Sequence, residues 1–79
     1  MERFYFNIFN DDITIDNEGI ECLDLDAARK RAMIESRVLA CHAITQYGTL
    51  NLRHRIDIMD ETGAICASVS FADAIKIIP

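Results

Sequence analysis

The sequence predicts an α+β domain of two layers, ββαββ(α), in which a four-stranded, largely antiparallel sheet packs on one long helix. Three observations carry this. Residues 25–47 run without proline or glycine between Asp24 and Gly48. Segments that alternate in the manner of strands come in two pairs, one before that run and one after it. Within each pair the segments are separated by Asn-, Asp- or Gly-rich residues that favour turns. With 79 residues and 51% hydrophobic side chains, the chain reads as a single small domain, 1–79, with enough apolar material for a core.

In order, the first element is a strand. In Arg3–Phe9, Phe4, Phe6 and Ile8 fall on one face and Tyr5, Asn7 and Phe9 on the other, and aromatic residues suit a pleated surface, so this segment is expected to be central. Asn10-Asp11-Asp12 is a turn by composition, after which Ile13-Thr14-Ile15 is short, β-branched and expected to pair back on the first strand. Asp16-Asn17-Glu18-Gly19 makes a second turn with Gly19 able to take positive φ, and Ile20, Cys22 and Leu23 are expected to lead into the helix and pack against its first turn.

The helix is predicted over 25–47. Asp24 is a suitable N-cap, Asp26 places negative charge in the first turn, and Gly48 supplies a left-handed terminus. At 100° per residue, Leu25, Ala28, Ala32, Ser36, Leu39, Ala43 and Tyr47 share a sector for the sheet, while Ala27, Ile34, Val38 and Cys41 lie nearly opposite. Phe6 and Leu39 are expected to join first strand and helix in the core. Leu52–Met59 alternates again, with His54, Ile56 and Ile58 opposed to Arg53, Arg55 and Asp57. Asp60-Glu61-Thr62-Gly63 suits a hairpin loop, and Ile65–Phe71 suits the return strand. Ser70 and Asp73 have capping-box spacing for a final helical turn through Lys76.

Several function classes find no support. The three cysteines, Cys22, Cys41 and Cys66, are odd in number and lack zinc or redox spacing, so they are expected to be reduced packing residues and no metal or other cofactor is predicted. No apolar run approaches the roughly 18 residues of a membrane span and no signal-peptide pattern occurs at 1–10, which gives the expectation of a cytoplasmic protein. Asp12, Thr14 and Asp16 alternate like calcium ligands, but Asn17 stands where the loop needs glycine and Leu23 where it needs a bidentate Glu. Cys41 and His42 point about 100° apart on a helix and cannot form a nucleophile–base pair. His54 could approach Cys66 across the second hairpin, without a third group to orient it. No catalytic residues are assigned and no enzyme activity is expected.

The net charge is −5, and eight of the thirteen acids lie in residues 1–26 opposite Arg3 alone. This balance argues against non-specific nucleic-acid binding, which needs clustered cations. Arg29 and Arg31 diverge by about 200° on the wheel, and Arg31 has Glu35 at i+4 as an expected ion-pair partner. Arg53 and Arg55, expected on one strand face, remain the best candidates for an anion or nucleic-acid contact.

Arg3-Phe4-Tyr5-Phe6-Asn7, Asp16-Asn17-Glu18-Gly19-Ile20-Glu21, Ala27-Ala28 with Ala32, Asp60-Glu61-Thr62-Gly63 and Phe71-Ala72-Asp73-Ala74 together resemble a family of short bacterial domains of unknown function. The resemblance spans nearly the whole chain and rests on turn and packing residues, so it implies a fold and no reaction. It also implies charged residues on the outer helix face, where this chain has Ile34, Val38 and Cys41. A looser likeness, through an acidic turn, a glycine and an Ala-rich helix after an early hairpin, is to the antitoxin half of small bacterial toxin–antitoxin pairs.

Two function classes follow. The first is a non-catalytic interaction module that forms a homo-oligomer through Ile34, Val38 and Cys41, helix on helix about a two-fold axis, with a further protein partner left open. The second is a nucleic-acid-associated or toxin-neutralising regulator using Arg53 and Arg55. A 23-residue helix extends about 35 Å against about 20–23 Å for a six- or seven-residue strand, so it must overhang the sheet. The competing arrangement for the apolar patch is a cover formed by the chain's own Ile75, Ile77 and Ile78.

Overall fold

Strand formation begins with the alternation of the amino-terminal segment, which a computed structural model describing residues 1–79 places as β1 (Glu2–Phe9). This strand is central, as expected. Along one edge it pairs antiparallel with β4 (Arg55–Met59), in the register Phe6↔Ile58 and Ile8↔Ile56. Along the other it pairs with two short pieces, β2 (Ile13–Thr14) and β3 (Ile20–Cys22). β5 (Ile65–Ser70) pairs antiparallel with β4 through a hairpin that has a bulge at Ile58/Met59. The path through the sheet is β2-β1-β4-β5, with β3 also on β1.

The α+β prediction is borne out, with one strand more than expected. Residues 20–22 do not simply lead to the helix: Phe4 faces Ile20 and Glu2 faces Cys22 in register, Cys22 is buried, and Leu23 is exposed. The turn explains the difference. Gly19 has φ +72°, and a Cβ there would stand 2.9 Å from the Phe4 carbonyl oxygen and from the Tyr5 ring. Only glycine lets the chain fold back this close to β1.

Between β2 and β3 the edge of β1 is completed by a side chain. The Phe6 amide donates to Asp16 Oδ2 (3.1 Å), the Glu18 and Gly19 amides donate to Asp16 Oδ1 (3.0 Å each), and the Asp16 amide donates to Asn7 Oδ1 (3.0 Å). Asp16, counted in the sequence as a position of a calcium-like pattern, is thus spent on the backbone. Partial burial pushes its carboxyl up, but the amides of Gly19, Phe6 and Glu18, with Arg3 nearby, overcome this and hold it below the ordinary value of 3.8.

The helix α1 occupies Leu25–Tyr47 with the expected caps. Asp24 accepts from the Ala27 amide at 2.8 Å, and Gly48, at φ 67°, donates to the Ile44 carbonyl. Its buried residues are Ala28, Ala32, Ser36 and Ala40, a ridge at successive i+4 positions. Such a ridge drifts about 40° per step, so the helix crosses the sheet obliquely and Ala40 takes the buried place while Tyr47 is exposed. α1 lies over β4 and β5 and against α2 (Phe71–Ala74). The core joins Phe4, Cys22, Ala28, Ala32, Ile56, Ile58 and Val69, and Phe6 and Leu39 pack against it half-buried. Phe71 begins the helix rather than ending β5, under a capping box in which Ser70 accepts from the Asp73 amide and Asp73 accepts from the Ser70 amide.

Because Asp16 is more acidic in the fold than in the unfolded chain, it stabilises above its unfolded pKa, and the contribution is lost as pH falls through the lowered value. Asp16→Ala is expected to lower the unfolding free energy by about 1–3 kcal/mol at pH 7, through amides left without an acceptor. Urea melts should show the gap between wild type and variant narrowing as the pH is taken below about 4. A gap that does not change with pH would assign the loss to something other than the carboxylate.

Candidate functional site

α1 is covered on one side only. Its small ridge faces the sheet, α2 lies on one flank, and Ile34, Val38 and Cys41 follow one another on successive turns of the outer face. Ile34 and Val38 are 60% and 57% exposed, and Cys41 is exposed too. The chain's own carboxyl-terminal residues leave this face open, with Ile77 and Ile78 exposed in their turn. What positions them is Arg37, whose Nε donates to the Ala74 carbonyl at 2.8 Å and caps α2 from the side of α1.

The two arginines singled out in the sequence do not share a strand. β4 begins at Arg55, and Arg53 lies in the preceding turn, where its amide donates to Asn51 Oδ1 at 2.9 Å. A run of alternating residues does not by itself mark where pairing starts. Here the Asn51 side chain and the His54-to-Asn51 backbone bond make a turn of residues expected to be strand. Arg55 is itself engaged on the uncovered face of the sheet. Its guanidinium carbon stands 4.3 Å from the centre of the Phe9 ring, and its Nε donates to Asp57 Oδ1 at 3.1 Å. Asp57 is buried and also accepts from Ser68 Oγ at 2.7 Å. Among helix charges, the i,i+4 pair that forms is Asp26–Lys30 at 3.1 Å, whereas Arg31 and Glu35 make none with each other.

The groups that could carry chemistry are dispersed or used locally. Cys41 is on the outer face while His42 lines a cavity of about 170 Å³ with Asn10, Asp11, Asp12, His54 and Phe71. In that cavity His54 Nε2 is 3.7 Å from Asp11 Oδ1 and its ring meets Phe71 edge-on, with centroids 5.4 Å apart. No three His, Cys, Asp or Glu side chains converge as a metal-binding group. The approach of His54 to Cys66 that the sequence allowed does not occur: His54 precedes β4 beside Phe71, and Cys66 lies at the other end of the hairpin, near Asp60. Burial and the Asp60 carboxylate raise the Cys66 thiol, which disfavours its nucleophilic form. Cys22 is buried in the core and Cys66 packs against it half-buried, so the expectation that all three serve packing fails for Cys41 alone, which is exposed. Asp60 is pulled down by the Thr62 hydroxyl and the Ala64 and Thr62 amides, and Asp73 by the amide and hydroxyl of Ser70. Both of these acids serve a turn or a cap.

Residues 3–72 match the family described as "Domain of unknown function (DUF6894)". The chain belongs to that family. Neither a curated protein nor a solved structure matches it. Family membership agrees with the resemblance drawn from turn and packing residues, and it carries no reaction. No helix is long and apolar enough to cross a membrane.

With Arg55 held by Phe9 and Asp57 on β4 and Arg53 set apart in the preceding turn, the two do not form a cationic track, and the chain is expected not to retain labelled RNA or DNA at physiological salt. Filter binding of the wild type and of Arg53→Ala and Arg55→Ala should give the same background. Salt-sensitive retention that disappears in these variants would show that the arginines contact phosphates.

Proposed function

We propose that the chain is a non-catalytic interaction module that works as a homodimer, with Ile34, Val38 and Cys41 of α1 in the contact. The observation that supports this is the exposure of three apolar side chains on successive turns of a helix whose opposite face already holds the core. Single exposed apolar residues are ordinary, but a contiguous group on a rigid element marks an interface. The size of the domain favours the same reading, because small chains bury modest cores and gain stability from association. The competing cover, Ile75, Ile77 and Ile78, has lost its support, since the patch stays open with α2 in place. The nucleic-acid reading is weakened by the engagement of Arg55.

Replacing Ile34 by Glu and Val38 by Lys together should give a folded protein of monomeric mass by light scattering, from a wild type that is dimeric at high micromolar concentration. Both positions are exposed within one chain, so the stability of the monomer should change by no more than about 0.5 kcal/mol. A wild type already monomeric at that concentration would remove the proposal.

A further inference from the structure

Two apolar surfaces of this chain lack a cover, and they have opposite shapes. One is the ridge of Ile34 and Val38 on α1. The other is a trough beside the helix, lined by Phe6 and Ile8 of β1 and Ile20 of β3, with Arg31 and Glu35 of α1 as its wall. The trough exists because a helix is about 10 Å across and strands lie about 4.8 Å apart. One helix therefore covers about two strands, and α1 lies mainly over β4 and β5 with a smaller contact to β3. The inner face of β1 is left half open, with Phe6, Ile8 and Ile20 each only partly buried.

The size of the exposed surface points the same way. A monomer of 9.0 kDa is expected to expose about 4,900 Å², and this chain exposes 5477 Å². The excess of roughly 600 Å² approaches the roughly 800 Å² that each partner buries in a standard interface. The radius of gyration of 12.7 Å likewise exceeds the about 11.6 Å of a compact chain of this length. Only 12 of 79 residues are buried, so the core is thin for the apolar content available.

We propose that a second copy of this chain fills the trough: α1 of each protomer lies beside α1 of the other, above the partner's β1, and sets Ile34 and Val38 onto the partner's Phe6, Ile8 and Ile20. The assembly is then a sandwich of two sheets with a pair of helices between them, and each α1 is buried on both of its apolar faces. This rests on the homodimer reading above and replaces a contact confined to the two outer helix faces. The trough lies roughly a quarter-turn around α1 from the ridge, so a helix placed in it sits alongside α1 in the same layer. Two-fold symmetry uses ridge and trough twice and closes the assembly, whereas an unrelated partner would need a separate complement for each. The rim charges suit a self-contact. Arg31 and Glu35 have no ion-pair partner within the chain and stand on the flank that meets the second helix. An axis between the helices can bring Arg31 of each to Glu35 of the other.

The test is an isotope-filtered NOE experiment on wild-type protein mixed from labelled and unlabelled copies at high micromolar concentration. Intermolecular NOEs are expected from the Ile34 and Val38 methyls to the Phe6 ring and to Ile8 and Ile20. A second arm follows Ile8→Lys by sedimentation, where a dissociation constant weaker by about tenfold or more is expected from a charge placed in the contact. A dimer with intermolecular NOEs confined to the two α1 outer faces, or to the open face of the sheet, would overturn this inference and leave the homodimer reading intact. A protein that stays monomeric and shows no intermolecular NOE would overturn both.

Discussion

The close seat of α1 on β4 and β5 is the constraint on which the rest of the structure depends. Ala28, Ala32, Ser36 and Ala40 present almost no side chain, so the helix backbone sits low over Ile56, Ile58 and Val69. Small residues at i+4 steps make one smooth ridge, which fixes both the oblique crossing and the flank on which α2 can dock. Ser36 shows what this costs: its hydroxyl is buried with no hydrogen-bond partner, a loss on the order of 1–3 kcal/mol that the packing has to offset. A low, narrow helix meets β3 as well as β4 and β5, yet it leaves Phe6 and Ile8 of β1 only partly buried. The open trough over β1 follows from where that ridge seats the helix together with the width of one helix against the sheet.

The polar residues are distributed by the same logic. Where β1 lacks a continuous neighbour, Asp16 supplies acceptors to its edge. The Asp60 carboxylate closes the β4–β5 loop through the Thr62 and Ala64 amides, and Asp73 caps α2. Asp57, buried on the uncovered face, is satisfied by Ser68 and Arg55, and Arg55 in turn lies over Phe9. Each of these acids stabilises a particular backbone or sheet feature. The acidic character of the chain is therefore partly structural, and Arg31 and Glu35, two of the charges on α1 without an ion-pair partner, lie beside the apolar trough.

Local chemistry was the part of the fold that could be read directly. Both ends of α1, the capping box at Ser70 and Asp73, and the central position of β1 follow from short-range rules, and the structure has them as expected. β3 escaped because three residues after a glycine turn carry no periodicity, and their pairing depends on how closely Gly19 passes Phe4. The extent of β4 was overestimated for the converse reason: Leu52 and Arg53 alternate properly but are captured by a turn at Asn51. Exposure of Ile34, Val38 and Cys41 was legible on the helical wheel alone. The trough was not, since it arises from the relative widths of helix and sheet and from which strands α1 chooses to cover. Neither is a property of any one segment.

If folding of this chain is completed by a second copy, its thermal stability must depend on concentration, because a species that binds only the folded state raises Tm by mass action. The measurement is the calorimetric Tm of the unmodified protein over roughly a hundredfold range of concentration, with the mass followed by sedimentation. The account predicts a Tm that climbs with concentration and a mass of twice 9.0 kDa at the upper end. A constant Tm with a mass of 9.0 kDa throughout would contradict it.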